Sequence, residues 1–348
     1  MILIRNIYYM LSYAFKGLNG QGYKRIATED FNNTEELMAA ILAKGIALQL
    51  KRGLGKEYIP RSEKLSFLRG KVDIAASIKT QSMLSKKLIC MYDDFSVNNT
   101  MNQIIKSTVI LLFKADIRKS RKKELRKLMM FFADVTTINL YSVNWNRQYN
   151  SSNQSYQMLI SICYLAVKGL IQTNQDGTMK FMDFIDEQRM CRLYEKFILE
   201  YYKRHYPELS ANASQIPWAL DDNSGDMLPI MQTDIHLQRG NTVLIIDTKY
   251  YESTTQMRFS GHTLHSNNLY QMFTYVKNRE YQFNTDDHTV SGMLLYARTD
   301  STIQPNNAYQ MHGNQISIRT LDLGLPFEDI AGQLDRIVET HFMGIVKV

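Results

Sequence analysis

Hydrophobic and polar positions along the first half of the chain repeat mostly at helical spacing. Ile4, Ile7, Tyr8, Leu11, Ala14 and Phe15 fall on one face of a 3.6-residue period, so a helix is predicted within residues 1–20. Residues 34–53 repeat the pattern, with Thr34 as the expected N-cap and Gly53 as the stop. The rhythm shortens between 56 and 78, around Pro60 and Gly70, where small strands and loops are expected. Residues 99–117 return to a strong helical period, and a basic helix follows. A polar loop covers 144–155, an apolar helix spans 156–172, and residues 173–178 (TNQDGT) form a second break.

The second half has another rhythm. Met190, Leu193, Phe197, Ile198 and Tyr201 share a helix face. A hairpin over 229–250, a helix over 266–278, a strand at 291–297, an extended run at 314–323 and a last helix complete the order. Helix, antiparallel strands, helix and strand describe a mixed α/β domain. The expected division is a mostly helical domain with small strands at 1–175 and a mixed α+β domain at 176–348.

Composition narrows the class. No run approaches the roughly 18 apolar residues that span a bilayer, and Arg5 and Asn6 interrupt the apolar N-terminus, so neither membrane span nor signal peptide is expected. Cys90, Cys163 and Cys191 are scattered and form no C-x-x-C pair, which points to a reducing, cytoplasmic setting without disulfides or structural zinc. The formal charge of +7 favours a polyanionic partner such as nucleic acid. Much of it lies in one stretch, where Lys114, Arg118, Lys119, Arg121, Lys122, Lys123, Arg126 and Lys127 face only Asp116 and Glu124. Two readings stand side by side: a solvated basic helix face, or a surface that contacts phosphates.

The hairpin carries the candidate chemistry. The run Val243-Leu244-Ile245-Ile246 reads as a buried strand, yet it ends in Asp247 and Lys249. Buried charges are costly unless paired. Gly240-Asn241 is a favoured two-residue turn; with those residues central, Arg239 pairs with Thr242 and Asp234 stands opposite Asp247. A turn centred on Arg239-Gly240 would leave the two carboxylates diagonal on the same face. Lys249 shares the Asp247 face by strand alternation. Like charges opposite each other destabilise a sheet, so the pair needs a cation. Lys249 is one, and a magnesium ion would be a stronger one, since it takes one or two carboxylates and keeps sites for water and phosphate. The residues thus fit either a salt-bridged strand end or a metal-dependent phosphodiesterase site.

Here the residues resemble a known family. TDI at 233–235 followed by IDTKYY at 246–251 is similar to the PD-(D/E)XK nuclease signature, with Thr233 where a proline often stands. RNIYYMLSYAF (5–15), LAKGIALQLKRGL (42–54), LRGKVDI (68–74) and NQIIKSTVILL (102–112) resemble the N-terminal region of McrC, the nuclease subunit of GTP-dependent McrBC restriction systems specific for 5-methylcytosine. The resemblance implies a restriction-endonuclease-like C-terminal domain, a central mixed sheet flanked by helices. It implies Asp234, Asp247 and Lys249 as catalytic residues, with magnesium held by Asp234, Asp247 and the backbone carbonyl of Thr248. Gln271, in a Q-x-x-x-Y pattern, and Glu195, in LYEKF on the first core helix, are auxiliary candidates; each is equally readable as a polar residue flanking an apolar stripe. The implied partners are modified double-stranded DNA and an AAA+ GTPase of the McrB kind, docked by the N-terminal domain.

Consistent with a nucleotide bound by the partner, GLNGQGYK (17–24) is no P-loop, because Tyr23 stands where lysine is required. His262 and His265 are three apart but lack a third ligand nearby, and a surface loop is the expected reading. RNIYYML is expected to be core in preference to a docking element, and Arg69 and Lys71 flank a turn at Gly70 that would reach either solvent or a partner. Two other functions compete: a non-catalytic adaptor that binds DNA and the GTPase, and a stand-alone repair nuclease of the same fold.

Overall fold

The computed structural model describes residues 2–15, 18, 23, 26–151, 153–176, 187–222, 224–250, 256–258, 261–283, 287–342 and 347. Along the chain run α1 (Ile4–Ala14), α2 (Thr34–Arg52), β1 (Glu57–Leu65), β2 (Lys71–Val72), α3 (Ile74–Lys79), β3 (Leu88–Ser96), α4 (Thr100–Leu112), α5 (Lys119–Met129) and α6 (Ser155–Asp176). The second half holds α7 (Glu187–His205), β4 (Gln215–Ile216), β5 (Met231–Gln232), β6 (Ile235–Arg239), β7 (Thr242–Lys249), β8 (Gln256–Arg258) and β9 (Gly261–Thr263). It closes with α8 (Ser266–Glu280), β10 (Thr289–Ala297), β11 (Asn307–Met311), β12 (Asn314–Leu321) and α9 (Phe327–His341). Among the described residues no helix is long and apolar enough to cross a membrane.

The chain forms two compact units, 31–179 and a second made of 1–30 with 180–348. The expected 1–175 segment therefore does not hold together: its first thirty residues cluster with the C-terminal half. The reason is packing. Tyr13 of α1 meets Phe197 of α7 edge-on at 5.5 Å, Tyr9 stacks on Phe327 at 4.3 Å, and the Asn6 amide donates to the carbonyls of Leu323 and Leu325 at 2.8 and 2.7 Å. RNIYYML is core, as its helical spacing predicted.

In the 31–179 unit, α2 is the central helix. Leu37 to Ala43 are all buried, so no face is left polar, and α4, α5 and α6 supply the surrounding walls. Its cap lies one residue before the expected Thr34: the Asn33 side chain accepts from the Glu36 amide at 2.8 Å, a contact worth about 1 kcal/mol. Strands β1, β3 and β2 form an antiparallel sheet in that spatial order. Tyr58, Phe67, Leu68, Ile74, Leu84 and Phe95 stay exposed on this sheet and its connections.

The other unit is built on a five-stranded mixed sheet, β11-β12-β10-β7-β6. The outer pairs are antiparallel and the two inner pairs parallel, so α8 is the crossover between β7 and β10. Helix α8 lays Met272 and Val276 on the face formed by Val243, Ile245, Leu294 and Ile318. Gly292 permits the close approach: a Cβ there would stand 2.6 Å from the Met272 sulfur and 2.9 Å from Val276 Cγ2. The β11–β12 hairpin was not predicted, because its turn uses His312, an unusual residue for the positive φ it adopts with Gly313.

Candidate active site

The turn at Gly240-Asn241 sets the site's register. Gly240 takes φ +57° and Arg239 pairs with Thr242, the arrangement expected when Gly240 is the first central residue. Ile235 then pairs with Ile246, so the next position up places Asp234 opposite Asp247. The diagonal register is not adopted. Four consecutive fully buried residues, Val243 to Ile246, drive β7 into the core and carry Asp247 in behind them.

Asp234 is clamped at the strand entrance. Both the backbone N–H and the hydroxyl of Thr248 donate to its Oδ2, at 2.7 and 2.8 Å. Thr248 thus holds the first carboxylate with its donors, leaving its carbonyl oxygen apart from that clamp. Asp247 is 3% exposed at its side chain, and the Lys249 ammonium lies 2.5 Å from its Oδ2. Burial and the neighbouring Asp234 push the Asp247 carboxyl up to about 6, against the opposing pull of Lys249.

Glu195 joins them from α7. Its carboxyl is pushed up to about 7, first by burial and then by the charges of Asp234 and Asp247; only Arg192 pulls it down. Helix α7 thus places Glu195 within electrostatic reach of both carboxylates. Gln271 arrives from α8. Its carbonyl oxygen stands 3.5 Å from the Lys249 ammonium, and its amide donates to the Tyr275 hydroxyl at 2.9 Å. Tyr275 in turn donates to the Gln232 carbonyl at 3.1 Å. A polar chain therefore runs from the strand before Asp234, through one helix turn of α8, to Lys249.

Of the five side chains expected at the site, Asp234, Asp247, Lys249 and Gln271 meet around one strand end, and Glu195 lies within electrostatic reach of it. Two contributors were not foreseen: the Thr248 hydroxyl and Tyr275. The Q-x-x-x-Y spacing signalled Tyr275, since positions i and i+4 share a helix face. His265 is the N-terminal cap residue of α8, and the side chain of His262 lies outside the described residues, as does most of GLNGQGYK. Among the described residues, no three His, Cys, Asp or Glu side chains converge as a metal-binding group.

Residues 4–297, most of the chain, match the family model for a McrBC 5-methylcytosine restriction system component. The chain belongs to this family. Within it, the Type IV methyl-directed restriction enzyme EcoKMcrBC of Escherichia coli (strain K12) is 28% identical over 347 residues, covering 98% of both chains. Among solved structures, the half-complex of Thermococcus gammatolerans McrB AAA+ hexamers with bound McrC aligns with a TM-score of 0.52 at 18% identity. That alignment covers 97% of this chain and 75% of the other, and it shows a shared fold. The McrBC match spans both compact units, so neither is an accessory to an otherwise unrelated domain.

Proposed function

We propose that this chain is the magnesium-dependent endonuclease subunit of a GTP-dependent restriction complex, cutting DNA that carries modified cytosine when assembled with a McrB-like AAA+ GTPase that it stimulates. The observation that carries the reading is the meeting of Asp234, Asp247 and Lys249 at one buried strand end of a mixed sheet, with Glu195 in electrostatic reach of both acids. A salt-bridged strand end needs one acid and one base. Two facing acids, Asp234 and Asp247, share one ammonium, with Glu195 in electrostatic range of both, and a hard divalent cation that takes one or two carboxylates fits that oxygen-donor pair.

Asp234, Asp247 and the Thr248 backbone carbonyl would hold magnesium, which takes few protein ligands and keeps the rest for water and phosphate. When bound, it would supply charge stabilisation and an acidified water. The protein's own groups have separate tasks. Thr248 fixes Asp234, and Tyr275 fixes Gln271, which steadies the Lys249 ammonium. Lys249 would orient the attacking water or a phosphate oxygen. Glu195, at about 7, stands near the pH at which a carboxylate can take up a proton from that water.

Partner docking is assigned to the 31–179 unit, the reduced form of the expected 1–175 domain. Its support is the exposure of Tyr58, Phe67, Leu68, Leu84 and Phe95 on one small sheet and its connections, with Tyr58 and Phe95 in ring contact at 4.9 Å. The GTP belongs to the partner, since this chain has no P-loop lysine.

The test uses the assembled complex. Asp234→Ala, Asp247→Ala and Lys249→Ala should each lower DNA cleavage by several orders of magnitude while GTPase stimulation stays at the wild-type level. Retained cleavage would remove the site from the chemistry. Folded variants that lose stimulation as well would contradict the division of labour.

A further inference from the structure

The charge of the chain is divided unequally between its two units. Residues 31–179 hold 22 Lys and Arg against 11 Asp and Glu, whereas residues 1–30 with 180–348 hold 19 against 23. The unit with the carboxylate site is therefore net acidic, before its partly buried acids are weighed separately. Duplex DNA carries about one negative charge per 1.7 Å of axis, so the attraction for it has to come from elsewhere in the chain.

The concentration is on α5. Arg118, Lys119, Lys122, Lys123, Arg126 and Lys127 cover about 13 Å of helix, a length over which a duplex presents about eight phosphates. Four of the pairs among them are like charges at i,i+4: Arg118–Lys122, Lys119–Lys123, Lys122–Arg126 and Lys123–Lys127. Such pairs destabilise a helix. An ordinary solvated face would intersperse acids, but α5 carries a single one, Glu124, and Arg121 engages it at 2.7 Å. Arg121 also reaches the buried Glu36 at 3.6 Å, and Leu125 is fully buried, so the inner stripe anchors α5 to α2 and leaves the basic residues outward.

We infer that the outward face of α5 is a binding surface for the phosphate backbone of double-stranded DNA, read without base specificity. This rests on the chain being a DNA endonuclease, which selects duplex DNA among polyanions. A protein partner fits less well: protein interfaces are depleted in Lys and built on an apolar centre. Between Arg118 and Lys127 the exposed residues are basic, Ser120 or Glu124, whereas the β1–β3–β2 sheet of the same unit has the apolar composition.

The experiment measures anisotropy of a short, unmodified, fluorescent duplex with the full-length chain in EDTA, across about 50–200 mM KCl. The variant combines Lys119→Gln, Lys123→Gln, Arg126→Gln and Lys127→Gln. A control of equal charge combines Lys56→Gln, Lys64→Gln, Lys79→Gln and Lys86→Gln, all exposed in the same unit. The α5 variant should weaken binding by tenfold or more at low salt and flatten the log–log salt slope by about 3 to 4, while the control changes the slope by about 1 at most. Circular dichroism checks folding; if the fourfold variant unfolds, Lys119→Gln with Lys127→Gln should give about half the slope change. Wild-type affinity and slope in a folded α5 variant would overturn the inference, as would an equal loss in the control. Normal DNA binding with lost retention by the AAA+ partner would overturn it in favour of a protein surface. Failure of the nuclease reading shows in cleavage, and failure of this one shows in binding.

Discussion

The two units differ in where their costly features sit relative to the protein–water boundary. The 31–179 unit hides an apolar helix, α2, and exposes what is costly to expose: six large hydrophobic side chains around a small sheet and a run of like charges on α5. The other unit also exposes large apolar side chains, Met227, Ile230, Tyr270 and Tyr281 among them, but among the described residues it alone buries a carboxylate–ammonium pair at the candidate site, Asp247 at 3% exposure beside Lys249 at 14%. Exposed apolar and like-charged surface is satisfied by macromolecules that arrive from outside. Buried carboxylates are satisfied by a small cation and by fixed donors such as Thr248. On the proposed reading, one unit serves partners and the other chemistry.

The sharpest way to break that contrast is at the sheet of the 31–179 unit. Tyr58 and Phe95 lie 4.9 Å apart, both more than half exposed, and contribute little to folding. Tyr58→Ser with Phe95→Ser should lower stimulation of the partner GTPase by tenfold or more, the scale of lost interface anchors, and leave the melting temperature of the isolated chain within about 2 °C. A large drop in melting temperature with normal stimulation would make this surface structural.

The counterpart in the other unit is Gly292. A side chain there must push α8 away from β10, and α8 carries Gln271. Gly292→Val should destabilise the chain by about 3 kcal/mol and abolish cleavage in the fraction that folds. Gly292→Ala should show a smaller loss of both. Wild-type activity in Gly292→Val would mean that α8 does not position Lys249 through Gln271.

Much of this architecture was legible in the residues, and the parts that were not have identifiable physics. Hydrophobic period gave the helices except α3, which lies where strands and loops were expected, and the Gly240-Asn241 turn gave the register that brings Asp234 opposite Asp247. Periodicity says which face of α1 is buried, not what buries it, so the attachment of α1 to α7 and Phe327 was hidden. The Asn33 cap and the His312-Gly313 turn depend on backbone angles that neighbouring residues permit equally well. Glu195 was suggested only by position. Its nearness to both carboxylates is a tertiary fact, set by how α7 packs on β6 and β7. Thr248 was expected to offer a carbonyl, and its hydroxyl clamp on Asp234 follows from a side-chain rotamer that no sequence pattern records.

The carboxylate site itself is tested most directly in the isolated chain, by melting wild type and Asp247→Asn in EDTA and in several millimolar magnesium. Asp247 is raised from its ordinary value to about 6 in the fold, so the folded state binds the extra proton. Stability of the metal-free protein should then fall as pH rises through about 4 to 6, with the full penalty present at neutral pH. Asp247→Asn keeps the shape and removes one of two facing charges. In EDTA at neutral pH it should gain on the order of 1 kcal/mol, and its stability should vary less between pH 4 and 6. Magnesium binds the folded site and hardly the unfolded chain, so it should raise the wild-type melting temperature by about a few degrees and barely move the variant. If Asp247→Asn is destabilising in EDTA and magnesium leaves wild type unshifted, Asp247 is an ordinary salt-bridged strand end and the nuclease site proposed here is contradicted.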